Sequence, residues 1–461
     1  MKVFYLGANI HQEALEIIDK SNETMLVYEE ADVTSVTQSI GSLETMDRAF
    51  CLSRKRILST KSLALLDKDG EYGRIAASVL NDFRLPLLRT RWSRLDLRGA
   101  YYGFCYFADV VDYALYFFEK YKPELIYCSY TPHTLEAWIF MRALEEVGVR
   151  IIRLIISPLP WVLIPIVGLS NERIRNLASN QGIQGTEKIQ KYMSLLADTY
   201  DKAVPYYEKT GESLKSNIFS LINIVRHPKE ILKHLEKLLV LNEYKKSTSP
   251  VKTNIRFAVY FLHYQPEMNT LPEADIYCDQ YQAIKKISWA LPEGVKLFVK
   301  EHPSTFTKRC DRRWRPQGFY DRITKLPNTH ICSPDLSAFD LIDRSLFVAS
   351  IAGISLTEAL IRGIPVVAFY TPRYRHFSDD LVIDASSLSV PELRSSIERM
   401  ISSQESLPRQ KLVSCLEEVA LNGYDGSDDV SFIPTVAEQR MMSSKRANCL
   451  AIKEIMEGTL R

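Results

Sequence analysis

The chain has 461 residues, 46% of them apolar and 25% charged, and its 58 Lys plus Arg against 56 Asp plus Glu leave a net charge of +2. That length exceeds the roughly 250 to 300 residues at which a single core stops growing, so two domains are expected, and the composition excludes an extended disordered chain. The near balance of charge excludes general nucleic-acid binding, which needs a basic excess.

The eight cysteines show no C-x-x-C pair and no regular spacing, which points to reduced thiols rather than a zinc site or a disulfide framework. The apolar run at Met1 to Gly7 turns polar at Asn9 and His11, too soon for a secretory signal, and reads as a first strand. A cytoplasmic protein is therefore expected. In chain order, strand Lys2 to Leu6, a helix near His11 to Lys20 and strand Met25 to Tyr28 follow βαβ grammar. Strand Pro123 to Ser129, the loop Tyr130 to His133, helix Leu135 to Val147 and strand Val149 to Ile156 continue it. Ligands of parallel sheets sit outside the carboxyl ends of the strands, so Thr131, His133 and Glu136 lie where a substrate could be met. The apolar stretch Ile151 to Leu169 is broken by three prolines and reads as a buried strand followed by an irregular loop, not as a membrane span.

Between Leu195 and Asn254 the pattern becomes helical and lysine-rich. Such lysines suit either peripheral contact with the inner, anionic face of a membrane or a solvated helix face. Five further strands alternate with helices: Asn254 to Phe261, Lys296 to Val299, Thr329 to Ile331, Leu346 to Ser350 and Pro365 to Phe369. The expected organisation is an α/β domain over 1–205, a basic helical linker over 206–253, a second α/β domain over 254–390 and a helical segment over 391–461.

Three strand ends of the second domain carry the polar chemistry. The first, Leu262-His-Tyr-Gln-Pro-Glu267, offers the Gln265 amide and the Glu267 carboxylate to a sugar or nucleotide, with Pro266 fixing the turn. In the second, Val299-Lys-Glu-His-Pro303, His302 held before Pro303 and flanked by Lys300 can donate to a phosphate that gains negative charge. Arg309 and Arg313 follow closely enough to help hold an anion. The third runs from Ser350 to Glu358, where Gly353 permits a tight turn and Ser355 can cap a helix whose free N–H groups favour a phosphate. Glu358 could take ribose hydroxyls, but Ser355 and Glu358 also make an ordinary capping box. Tyr370 and Tyr374 could stack on a base.

These segments, with Asp279-Gln280, Leu291-Pro292, Phe319-Tyr320, Pro327-Asn328 and Gly363-Ile-Pro365, resemble the capsule polysaccharide biosynthesis family of bacterial glycosyltransferases, which includes 3-deoxy-manno-octulosonic acid transferases. Thr131-Pro-His133 is similar to a motif there too. The resemblance implies a GT-B architecture of two facing Rossmann-like domains, with the acceptor on the N-terminal side and the nucleotide-sugar donor in the C-terminal domain. By similarity to transferases of CMP-linked acidic sugars it implies phosphate contacts for His302, Pro303, Ser350 and Ser355. Ile351-Ala-Gly-Ile-Ser355 departs from the family's Thr-Gly-Thr by losing one hydroxyl.

The expected reaction moves a sugar from the donor to a glycan or glycolipid of a surface polysaccharide. His133 or Glu136 would position or deprotonate the acceptor, and Glu267 would act as base or nucleophile. No Asp-x-Asp motif stands out, so neither a metal nor a cofactor beyond the nucleotide sugar is expected. A UDP-sugar 2-epimerase on the same architecture and a non-catalytic glycan-assembly scaffold are the alternatives.

Overall fold

The computed structural model describes residues 3–6, 24–29, 49–52, 74–79, 97–132, 134–169, 174–180, 182, 185–198, 228–251, 254–265, 267, 270–307, 312, 314–403, 409–425 and 436–460. The expected helix near His11 to Lys20 lies outside them. The chain forms two compact units, one of Met1–Gly185, Glu417–Asp429 and Glu438–Arg461, the other of Thr186–Leu416 and Val430–Ala437. Among the described residues no helix is long and apolar enough to cross a membrane.

In the first unit, strands β1 (Val3–Leu6), β2 (Thr24–Glu29), β3 (Ala49–Leu52), β4 (Leu125–Cys128) and β5 (Arg150–Ile156) run parallel in the order β3-β2-β1-β4-β5. The unbroken apolar run of β4 is buried at every residue, as expected of a strand covered on both faces. Helices α1 (Leu97–Tyr121) and α2 (Leu135–Glu146) pack together, with the rings of Phe117 and Phe140 5.1 Å apart. Thr134 starts α2 by accepting the Ala137 N–H at 3.2 Å.

The irregular loop expected after β5 is instead a strand, β6 (Val162–Val167), antiparallel to β5, with a short β7 (Arg175–Asn176) beyond it. Pro158 and Pro160 occupy the turn, whereas Pro165 sits within β6. Its carbonyl accepts Leu177 N–H at 2.9 Å, so its missing donor also falls on the β7 side and no bond to β5 is lost.

The second unit holds α3 (Thr186–Asp198) and α4 (Pro228–Lys246) ahead of its sheet. Val240 and Tyr244 of α4 belong to this unit's core. The sheet comprises β8 (Phe257–Phe261), β9 (Lys296–Lys300), β10 (Thr329–Ile331), β11 (Val348–Ser350), β12 (Val366–Ala368) and β13 (Val382–Asp384). All are parallel, in the order β10-β9-β8-β11-β12-β13. The sheet thus has six strands rather than the expected five. The extra strand, β13, has only three residues, too few for its periodicity to register in sequence.

Helices α5 (Gln280–Ala290), α6 (Ser304–Thr307), α7 (Phe319–Thr324), α8 (Ala338–Arg344) and α9 (Ile354–Ile361) alternate with these strands, and α10 (Val390–Ser402) and α11 (Arg409–Asn422) follow. Beyond α11 the chain rejoins the first unit. Strand Tyr424–Asp425 pairs with β6, and the closing helix α12 (Val436–Glu457) supplies Glu454, which accepts the Tyr424 hydroxyl at 2.7 Å.

Gly423, between α11 and that strand, is buried with no room for a side chain. A Cβ there would stand 2.3 Å from Val162 Cγ1 and 3.0 Å from the carbonyls of Leu163 and Val419. Gly423→Ala should therefore destabilise by about 1–3 kcal/mol, the range for overpacking, visible as a lowered Tm in a thermal melt.

Candidate functional site

From β8 the chain winds one way through β9 to β10, and from β11 it winds the other way through β12 to β13. Neighbouring strands β8 and β11 therefore send their following loops to opposite sides, which opens a crevice at their carboxyl ends, the place where doubly wound sheets bind ligands. The loops after β8, β9 and β11 meet there.

His263, two residues past β8, is the centre of this meeting. Gln280, the first residue of α5, clamps its backbone: Oε1 accepts His263 N–H at 2.7 Å and Nε2 donates to its carbonyl at 2.9 Å. Arg315 Nη2 donates to the same carbonyl at 2.7 Å. The imidazole, 6% exposed, places Nδ1 2.6 Å from Glu267 Oε2. Its Nε2 lies 3.3 Å from the Ala352 nitrogen and 3.1 Å from Ser350 Oγ. A backbone N–H can only donate, so Nε2 is the acceptor and the ring proton sits on Nδ1, directed at the carboxylate. Ser350, His263 and Glu267 thus have the spacing of a nucleophile triad but not its chemistry. Ser350 is 1% exposed and its hydroxyl donates to Phe261 O at 2.9 Å, while the Nε2 lone pair already serves Ala352.

The loop after β9 is built on Glu301. Its buried carboxylate accepts from Arg315 Nε at 2.5 Å, Arg315 Nη2 at 2.9 Å, the Tyr320 hydroxyl at 2.7 Å, the Thr305 hydroxyl at 3.2 Å and the His302 N–H at 2.8 Å. Burial alone would raise the Glu301 carboxyl, but the Arg315 charge and these bonds hold it below the usual value. The backbone of His302 is therefore fixed, and its ring meets Tyr264 edge-on at 5.0 Å. Burial, which disfavours the imidazolium, pushes His302 down to about 4 against the pull of Glu301 and Glu267, so the ring is neutral at neutral pH. Glu267 behaves oppositely. Burial would raise it, but His263, His302 and Arg373 hold its carboxyl below the ordinary value. Arg373, reaching back from beyond β12, donates from Nη1 to Ala352 O at 2.9 Å.

The structure brings Glu267, His302, Ser350 and Gly353 to this crevice. The histidine against the glycine turn is His263, however, since a Cβ on Gly353 would lie 3.3 Å from its Cε1. Lys300 is buried and donates to Pro334 O at 3.0 Å. Gln265 is turned into its own loop, donating to Thr270 Oγ1 at 2.7 Å and accepting Glu267 N–H at 3.3 Å.

The expected capping box is not formed: Gly353 is the cap of α9, Ser355 lies inside the first turn, and no side chain caps the helix. The hydroxyl of Ser355 would be 3.2 Å from a Cβ on Gly353, and Glu358 follows one turn later, half-buried. Tyr370 and Tyr374 are buried, Tyr370 within the hydrophobic core, so neither presents an exposed ring. Pro303 is exposed ahead of α6. In the first unit, Glu136 accepts the Tyr106 hydroxyl at 3.1 Å and Thr131 is buried against Arg153. His133, Pro266, Arg309 and Arg313 lie outside the described residues. A groove of about 930 Å3 between α3 and α11, lined by Glu187, Lys191, Arg409 and Val413 among others, contains none of these residues.

No protein-family model matches the chain, and no curated protein does. Solved structures resemble it distantly. UDP-GlcNAc 2-epimerase from Neisseria meningitidis is 12% identical over 99% of this chain and 100% of its own, with a TM-score of 0.23. The KpsC beta Kdo 2,7 transferase from Thermosulfurimonas dismutans is 12% identical over 66% of this chain and 88% of its own, with a TM-score of 0.27. The N-terminal domain of Candida albicans trehalose-6-phosphate phosphatase is 12% identical over 98% and 96%, with a TM-score of 0.31. At such identities and TM-scores these likenesses assign no chemistry to the chain.

Arg315→Met would leave the Glu301 carboxylate buried without its cation, and a loss of about 3–5 kcal/mol is expected in denaturant unfolding. Acid should also weaken the fold. The imidazole of His302 titrates near 6.5 when unfolded and about 4 when folded, so between those values the unfolded chain binds the proton more readily and stability falls as pH drops. The depressed carboxyls of Glu267 and Glu301 act in the same direction below their ordinary 4.5. Melting temperatures from pH 7 to pH 4 should therefore decline less steeply in His302→Gln than in the wild type.

Proposed function

We propose that the chain is a glycosyltransferase whose second unit binds a nucleotide-activated donor, a CMP-linked acidic sugar by preference, and whose first unit receives a glycan or glycolipid acceptor. The supporting observation is the convergence of Glu267, His302 and the Gly353 turn at the switch between β8 and β11. The N–H groups of Gly353, Ile354 and Ser355 lead α9, and the first N–H groups of a helix have no partner within it, so they suit a phosphate.

Neutral His302 contributes a hydrogen bond rather than a standing charge. As the glycosidic bond breaks, the phosphate gains negative charge, and an adjacent imidazole donor stabilises that charge more than it stabilises the ground state. A bound phosphate would also raise the His302 pKa from about 4. Ionised Glu267 is the base, or the nucleophile of a double displacement, with its proton affinity set by His263, His302 and Arg373. His133 and Glu136 are the residues assigned to the acceptor.

A thermal-shift series with CMP, UDP and GDP tests the donor assignment. One of them should raise the Tm, and at about 100 times its Kd the stabilisation is about 2.7 kcal/mol. The corresponding nucleotide sugar should then be consumed in an acceptor-dependent way, and Glu267→Gln should lower turnover by about 10²-fold or more while the protein still folds. Epimerisation of UDP-N-acetylglucosamine without an acceptor would replace the transferase by a 2-epimerase. No response to any nucleotide would leave a non-catalytic scaffold.

A further inference from the structure

His263 touches neither donor nor acceptor in the reaction proposed above, yet it bonds both the proposed base and the turn proposed for the phosphate. Its main chain is held by Gln280 on both its N–H and its carbonyl and by Arg315 on the carbonyl, so the ring cannot drift along the strand axis. Its two nitrogens face different functional groups, Nδ1 the Glu267 carboxylate at 2.6 Å and Nε2 the Ala352 N–H at 3.3 Å. The Ala352 peptide is in turn gripped at its other end, where Arg373 Nη1 donates to the carbonyl at 2.9 Å. One side chain therefore spans the two loops that carry the base and the phosphate-binding turn.

We infer that His263 is the positioning residue of this site: held as the neutral Nδ1–H tautomer, it aims the Glu267 carboxylate and shapes the Ser350–Gly353 turn together. The inference rests on the donor reading given above. The geometry dictates the tautomer. A proton moved to Nε2 could be accepted by Ser350 Oγ at 3.1 Å, but it would put two donors face to face at Ala352 and leave the carboxylate without its N–H. The charged and titratable groups around the ring match this state. Glu267 takes the Nδ1 proton, Arg315 bonds the backbone carbonyl with its own charge compensated by Glu301, Arg373 lies beyond Ala352, and His302 completes the set. Removing the ring should therefore disturb nucleotide binding even though the imidazole need not touch the nucleotide, because the turn would lose the acceptor that fixes the Ala352 N–H.

Two measurements on the full chain test this. Two-bond ¹H–¹⁵N correlation spectra of histidine-labelled protein, assigned with His263→Asn, should show a His263 ring protonated at Nδ1 and bare at Nε2; the opposite tautomer overturns the inference. Calorimetric titration with CMP, UDP and GDP supplies the second. His263→Asn, too short to reach Ala352, should weaken the nucleotide that the wild type binds by about tenfold or more, the cost of a buried N–H left without an acceptor. His263→Gln can carry its carbonyl to Ala352 and should stay within about threefold of the wild type, a rescue that a merely space-filling role would not produce.

Wild-type affinity in His263→Asn overturns the positioning role while leaving the donor reading intact. A wild type that binds no nucleotide overturns the donor reading, and the spectra then still judge the tautomer. Should His263→Asn fail to fold, His263→Gln decides on its own: an affinity loss of about tenfold or more in that variant overturns the inference, because its carbonyl can still accept the Ala352 N–H.

Discussion

The candidate site depends on one buried ion pair. Glu301 stands at the end of β9 and Arg315 reaches it from a loop closed by α7, with both side chains at most 3% exposed. Withdrawing two charges from water is costly, and such a pair is stable only when the remaining lone pairs and protons are also satisfied. Here they are, by Tyr320, Thr305, the His302 backbone and the carbonyl of His263. Arg315 therefore does more than neutralise a carboxylate. Its guanidinium connects the loop after β8 to the loop after β9, and the ring of Phe319 lies 4.9 Å beneath it. A lysine has one point charge and no planar fork, and it could not serve Glu301 and His263 at once.

Above that pair, electrostatics divides the work. His302 is kept neutral and Glu267 ionised although both lie in the same crevice, because burial outweighs the pull of Glu301 and Glu267 on the imidazole, whereas the hydrogen bond from His263 and the charge of Arg373 help hold the carboxyl low against burial. Two titratable groups driven apart in this way are what acid–base chemistry requires. The sheet order explains why they meet. With β8 and β11 adjacent and their connections departing in opposite directions, the carboxyl end between them is where a crevice opens in a doubly wound sheet.

Much of this was legible in the sequence. Alternating apolar runs and helical segments located four of the five parallel strands of the first unit, without β3, and five of the six in the second, without β13; the polar strand ends after β8, β9 and β11 were recognisable because ligands of parallel sheets sit there. What could not be read was which side chains point inward. Lys300 and Gln265 look like ligands in a list of polar residues, yet one bonds Pro334 and the other its own loop. His263 and Glu301 look like ordinary members of their motifs, and only the long-range partners Ala352 and Arg315 reveal their work. The proximity of an arginine fourteen positions downstream has no periodic signature. Pro165 misled for a related reason: proline usually breaks a strand, but here the missing donor faces a two-residue neighbour.

The central claim is that a nucleotide phosphate lies at the β8–β11 switch. A crystal structure with whichever of CMP, UDP or GDP binds tests it most directly. The phosphate is expected within hydrogen-bonding distance of the His302 ring and the N–H groups that lead α9. A nucleotide seated instead in the groove between α3 and α11, or with its phosphate remote from Gly353, would contradict it.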